Sequence, residues 1–257
     1  MVQYIALPIV GFIVGLLIIT LGGGGGAVYV GILTAFFNIP PAIAASTSLA
    51  TTIPTTAIGA FSHWKAGNVN LHFGLIMLIG GIFGSIVGSL CSGYLPQNLY
   101  NKITGIILLI LAIQMLVSFI KKKRQNSDMS NGDKSKRSST VKAVSFGLLG
   151  GIMSGLVGLS GGGPIIAGLM ILGCQALETV GTSVLVLFGI AVTGFLTHLG
   201  VGSIDWQLVG LLTIGTVCGA FAGPFFLKKA NKKKLEKILQ PVLFVMIVIM
   251  GGMEMFK

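Results

Sequence analysis

Acidic residues are nearly missing from this chain. Only six Asp and Glu occur in 257 residues, and none precedes Asp128. Charged residues of both signs make up 9% of the chain, and hydrophobic ones 53%. Soluble domains carry roughly 25% charged residues. A chain this poor in charge cannot cover a water-facing surface, so its solvent is lipid. The shortage of carboxylates also removes paired general acids and bases. Histidine and cysteine are equally sparse, three of each, and show no metal-ligand spacing. We therefore expect no catalytic residues, no metal site and no cofactor. Cys91, Cys174 and Cys218 read as small packed thiols, not as a disulfide framework. A basic stretch before the opening apolar segment is also missing, which argues against a cleaved signal peptide.

Cations are present but confined. The net charge is +11, yet between Val2 and Lys102 the only basic residue is Lys65. Most of the rest fall in two clusters. One holds Lys121, Lys122, Lys123, Arg124, Lys134, Lys136, Arg137 and Lys142. The other holds Lys228, Lys229, Lys232, Lys233, Lys234 and Lys237. This is the pattern of cytoplasmic loops of a membrane protein, so no nucleic-acid partner is expected. The 39 glycines would weaken soluble helices, but small residues let membrane helices approach closely.

What is abundant is repetition. Residues 22–70 carry a five-glycine run, then Thr47-Ser48, His63 and Gly67-Asn68-Val69-Asn70. Residues 159–205 carry Ser160-Gly161-Gly162-Gly163, then Thr182-Ser183, His198 and Gly202-Ser203-Ile204-Asp205. Thr182 follows Thr47 by 135 positions, and the later elements keep that offset. Each copy sits in a set of about five apolar segments. These are near 3–21, 27–37, 42–62, 71–93 and 101–120, then 143–158, 162–173, 177–198, 206–227 and 236–256. The reading is all-α and polytopic: a first membrane repeat over 1–120, a basic cytoplasmic linker over 121–142, and a second repeat over 143–257.

A spanning helix needs about 20 apolar residues. The second segment of each half is too short, so the first two of each half read as broken or re-entrant helices meeting at the glycine run. Irregular backbone at membrane depth is tolerated only inside protein or along a cavity. The basic clusters follow the fifth segment in one half and the fourth in the other. Corresponding segments then run in opposite directions, which makes the repeats inverted around a shared site. The same count puts Lys65 inside, Asp205 outside and both termini outside. Six crossings plus two hairpins and ten crossings remain equally open. Trp64 and Trp206 sit at segment ends, where aromatic belts form.

Three residue types could carry function. Gly24, Gly25 and Gly26, with Ser160, Gly161, Gly162 and Gly163, can expose the free N–H groups and positive dipole end of a following helix to an anion. Two such runs at equivalent places favour that role over a mere tight turn. Thr47, Ser48, Thr182 and Ser183, joined by Thr51, can donate to an anion without placing a charge in the bilayer; the alternative is a bond back to the preceding turn. Pro54 and Gly189, each seven residues past its Thr, mark bending points near the site or ordinary kinks. His63 and His198 are candidates for gating or proton relay, or interfacial polar residues. Lys65 stands at the inner mouth and Asn68 in the loop beside it.

The ordered set of glycine run, Thr-Ser and His-x-x-x-Gly-(Asn/Ser)-(Val/Ile)-(Asn/Asp), found twice, resembles the TauE/SafE family of sulfite and organosulfonate exporters. The resemblance in hydropathy covers nearly the whole chain. It implies an inner-membrane permease for small sulfur-containing anions. It assigns the motif roles to Gly24, Gly25, Gly26, Thr47, Ser48, His63, Gly67 and Asn68, and to Gly161, Gly162, Gly163, Thr182, Ser183, His198 and Gly202. The chain departs from the pattern at Ser203, where the family has Asn, and at Gly31 and Gly168, near the place where a Pro often follows the run. An acid-free core suits an anion, and export of an anion from a negative interior is electrically downhill. Facilitated export by alternating access is the first expectation. The alternatives are a proton-coupled permease of another small anion, an anion channel, or a non-transporting membrane subunit. A homodimer is compatible with the sequence.

Overall fold

The computed structural model describes residues 2–21, 25–124, 136–201, 204–229, 244–245, 247–253 and 255–256. The described residues contain helices and no strand. Among the described residues, the helices in order include α1 (Val2–Leu21), α2 (Gly26–Ala35), α3 (Pro41–Lys65), α4 (Leu71–Ser92), α5 (Gln97–Arg124), α6 (Lys136–Val157), α7 (Gly162–Ile171), α8 (Ala176–Val201) and α9 (Trp206–Lys229). Residues 247–253 are also helical.

Among the described residues, three stretches, Leu71–Ser92, Ser139–Val157 and Ala176–Gly200, are long and apolar enough to cross a bilayer. α2 and α7 have ten residues each, which is about 15 Å, or half a hydrocarbon core. Phe83, Ile214 and Phe221 are each more than 60% exposed. Outward apolar faces of this kind need lipid rather than water. The protein is a polytopic membrane protein.

The linker is shorter than its composition suggests. α5 continues through Lys121–Arg124 and α6 begins at Lys136, so helix invades both ends of the span assigned to loop. Lys and Arg are good helix formers and lose little by extending a helix into water. Residues 125–135 and 230–243 lie outside the described set. The thiols also differ from expectation. Cys91 and Cys218 are exposed and Cys174 is half-buried, because the glycines of α4 and α9, not their cysteines, face the protein.

Glycine ladders determine which helices pair. On α4, Gly80, Gly84 and Gly88 lie against the backbone of Val144, Leu148 and Ile152 of α6. From α6, Gly147, Gly151 and Gly155 lie against Met77, Gly81 and Ser85. A Cβ at any of these would collide with backbone. The register advances in the same direction on both helices, so α4 and α6 are parallel. α1 and α9 repeat the arrangement: Gly11 and Gly15 face Leu212 and Thr216, while Gly215 and Gly219 face Pro8 and Phe12. Backbone-to-backbone approach at four-residue spacing is how membrane helices gain packing without a hydrophobic drive.

The partnership is reciprocal. The first helix of each sequence copy packs on the fourth helix of the other, and α3 packs on α8 between them. Gly181 lies against His63 and Gly194 against Leu49, so α3 and α8 are antiparallel. That register places Pro54 level with Gly189, its counterpart in the second copy. Because α4 and α6 are parallel, Lys65, just before α4, and Lys136, at the start of α6, share one face of the bundle.

Candidate functional site

Both short helices open on a left-handed glycine. Gly25 (φ 60°) caps α2 and Gly161 (φ 63°) caps α7. Neither glycine has a side chain of its own to cap the helix. Before α7 the chain turns through Gly158 and Ser160, also at positive φ. Ser160 is strained there, since a Cβ disfavours the left-handed region. Its hydroxyl compensates by accepting from the Gly26 amide at 3.3 Å. Gly26 lies directly against Gly158, Leu159 and Ser160. The two glycine runs therefore meet. Gly24, with Gly22 and Gly23, lies outside the described residues.

Beside this junction stands Ser48, of the first hydroxyl pair. Ser48 donates to the Gly158 carbonyl at 2.9 Å, which ties α3 to the turn. Thr47 is fully buried, and its hydroxyl has no hydrogen-bond partner. Thr51 donates back to the Thr47 carbonyl at 2.8 Å. Thr52, Thr55 and Thr56 do likewise one turn back. Those donors are spent within the helix, so Thr47 alone in this row keeps a free one. The stretch flanks Pro54, whose missing N–H leaves the Ala50 carbonyl without its helical partner.

The second pair sits elsewhere. Thr182 accepts from the Asn70 amide at 2.8 Å. The Asn70 side chain donates to Glu178 at 2.7 Å and accepts from the Phe73 amide at 3.0 Å, which caps α4. Asn68 lies with its carbonyl against Gly181, close to half-buried His63. Ser183 donates to the Val180 carbonyl at 2.9 Å. Lys65 is exposed and stacks over Phe61 at 4.5 Å, a cation–π contact at the helix end.

The structure thus does not bring all the sequence-selected residues into one cluster. Thr47 lies next to Leu49, at the Gly194 end of the α3–α8 pair, and Thr182 lies at the His63 end. At 1.5 Å per helical residue the two are roughly 20 Å apart along the pair. One cluster joins Gly26, Ser48, Gly158 and Ser160, with Thr47 beside Ser48 in sequence. The other joins His63, Asn68, Asn70, Glu178, Gly181 and Thr182. Pro54 and Gly189 stand between them. His198 is buried at 1% exposure, with Nε2 2.8 Å from the Gly155 carbonyl. That bond commits one ring nitrogen to the α6 backbone. Gly202 and Ser203 lie outside the described residues. Among the described residues no group of three or more His, Cys, Asp or Glu could hold a metal ion.

Sulfite exporter TauE/SafE is the family that matches, over residues 7–251. The chain belongs to this family. The probable membrane transporter protein YdhB of Bacillus subtilis (strain 168) is 32% identical over 95% of this chain and 97% of its own. YunE of the same organism, named likewise, is 24% identical over 97% and 96%. The probable membrane transporter protein MJ0441 of Methanocaldococcus jannaschii is 28% identical over 95% and 94%. No solved structure matches. The protein is a membrane transporter of the TauE/SafE type.

Two features of this TauE/SafE protein escaped the sequence reading. Glu178, an acid near a segment end, holds Asn70 and, through its other oxygen, the Gln175 amide at 3.2 Å. Nothing local signals a partner 108 positions away. The glycine ladders were legible: Gly80, Gly84 and Gly88 recur every four residues, as do Gly147, Gly151 and Gly155. Tyr29, fully buried, pairs with Thr216 at 2.6 Å and ties α2 to α9 with no repeat counterpart to announce it.

Proposed function

We propose that this protein is a secondary transporter that exports small sulfur-containing anions, sulfite or organosulfonates, across the inner membrane by alternating access. The observation that carries the reading is Thr47. A buried hydroxyl with no partner costs about 1–3 kcal/mol, and Thr47 adjoins Ser48, which is bonded to the turn before α7. The positive dipole end of a helix and a neutral donor suit an anion in low dielectric. No acid lies among the residues gathered there. Family membership and the transporter names of the relatives support the class. The sulfur chemistry rests on the family description.

The repeats are inverted in this reading. Parallel α4 and α6 start on the face that carries Lys65 and Lys136, and that face is cytoplasmic by its positive charge. The basic linker and the Lys228–Lys237 loop lie there too. Export is driven by membrane potential, at about 2.3 kcal/mol per charge per 100 mV. Saturable efflux of a sulfonate from proteoliposomes tests the proposal. Non-saturating flux would identify a channel, and no flux a subunit without transport activity.

A further inference from the structure

The end of α6 is held by side chains from three other helices. α6 stops at Val157, and the carbonyls of a helix's last turn lack partners inside the helix. Here the Gly158 amide donates to the Ser154 carbonyl at 2.8 Å. The next two carbonyls are taken from elsewhere in the fold. His198 of α8 places Nε2 2.8 Å from the Gly155 carbonyl. Tyr100 of α5 donates its hydroxyl to the Leu156 carbonyl at 2.6 Å. Ser48 of α3 donates to the Gly158 carbonyl at 2.9 Å. A carbonyl can only accept, so Nε2 of His198 carries a proton. Tyr100 and His198 are 3% and 1% exposed, so water does not compete for either bond.

These oxygens belong to the last turn of α6 and to the turn that follows it, the same turn whose Gly158 and Ser160 meet Gly26. The C-terminal end of a helix is its negative dipole end. Left bare, its carbonyls would repel an anion held at that junction. We infer that Tyr100, His198 and Ser48 form a carbonyl shield, which makes the negative end of α6 tolerable to an anion and sets how much negative charge the transported anion can carry. The inference rests on the anion-transport reading and adds the residues that determine charge selectivity. Tyr100 and His198 act through the α6 backbone, as positioning residues.

The residue types suit the task. Tyrosine and serine donate without a fixed charge, and histidine does so in its neutral form. A neutral donor offsets the partial charge of one carbonyl. A Lys or Arg in its place would add a full charge inside the bilayer, which is costly there and would hold the anion against release. A cap that served stability alone would, once removed, weaken the fold and treat every anion alike. A shield treats anions according to their charge.

Titration of the purified protein with methanesulfonate, a monoanion, and sulfoacetate, a dianion at neutral pH, tests this. An ordinary hydrogen bond is worth about two- to ten-fold in an equilibrium. Tyr100→Phe keeps the ring and removes one donor. It should weaken methanesulfonate about three-fold and sulfoacetate about ten-fold, because repulsion from a bared carbonyl scales with the charge of the ligand. His198→Leu should shift the ratio the same way, and His198→Gln, which retains a donor, should restore it. Tyr100→Phe keeps the test decisive should His198→Leu fail to fold. Equal losses for the two anions, or a lower midpoint temperature with both affinities unchanged, would reduce these residues to a structural cap and overturn the shield. If the unaltered protein bound neither anion, the anion reading itself would fall, and the shield with it.

Discussion

The amide of Asn70 lies 2.8 Å from the hydroxyl of Thr182, across 112 positions of sequence. The hydroxyl of Thr47, its equivalent, is buried and empty-handed. Two residues that look interchangeable in the repeat therefore answer differently to the same substitution.

Thr47→Val removes an orphaned polar atom and keeps the shape. Midpoint temperature should rise, since an apolar isostere at an unsatisfied site is neutral or stabilising. Substrate affinity should fall by about ten-fold or more, the loss of a hydrogen bond to a charged group. Thr182→Val should do the reverse: it loses about 1 kcal/mol of stability with a smaller change in affinity. Thermal unfolding and anion titration of both purified variants check this. Parallel behaviour of the two would remove the distinction drawn between the clusters.

The glycine ladder predicts a sharp contrast between glycines. Gly151→Ala would drive a methyl into the Gly81 carbonyl and should cost about 1–3 kcal/mol, the usual range for overpacking. Gly210 has nothing within 4 Å of a Cβ. Gly210→Ala should instead be neutral or gain about 0.5–1 kcal/mol from helix propensity. Unfolding in detergent by two-state denaturant titration gives both numbers.

Cys174, in the connection between α7 and α8, reports on Glu178. Burial first, and the nearby Glu178 charge second, push its thiol up to about 11. The thiolate is the reactive form, so it is scarce at neutral pH and grows about ten-fold per pH unit up to that value. Labelling by a water-soluble maleimide should be slow at pH 7 and rise through pH 10. Glu178→Gln should lower the thiol's pKa and speed labelling at pH 8. A rate already flat by pH 9 would contradict the placement.

His198 gives the test of coupling. Its ring is tied to the Gly155 carbonyl at 2.8 Å, a structural bond that Gln can imitate. With transport driven by charge, sulfonate flux should follow an imposed membrane potential and ignore a pH gradient at fixed potential. His198→Gln should slow it modestly and leave voltage dependence intact. A pH gradient that drives uphill accumulation, and fails in the variant, would establish proton coupling instead.

Much of this architecture is determined by the sequence alone. Lipid as solvent follows from nine charged residues per hundred. The helical segments follow from their apolar lengths, and α2 and α7 are short for the reason their composition states. The duplication, and with it the equivalence of Thr47 with Thr182 and of Asn70 with Asp205, is a property of the string. What the string cannot contain is which equivalents are used alike. That Ser160 reaches Gly26, that Glu178 seizes Asn70 and that Thr47 is left without a partner depend on contacts between residues 100 or more positions apart, set when α4 docks on α6 and α3 on α8. Repetition in sequence fixes parts in pairs; only packing, where one loop is gripped and its twin is not, makes the pair unequal.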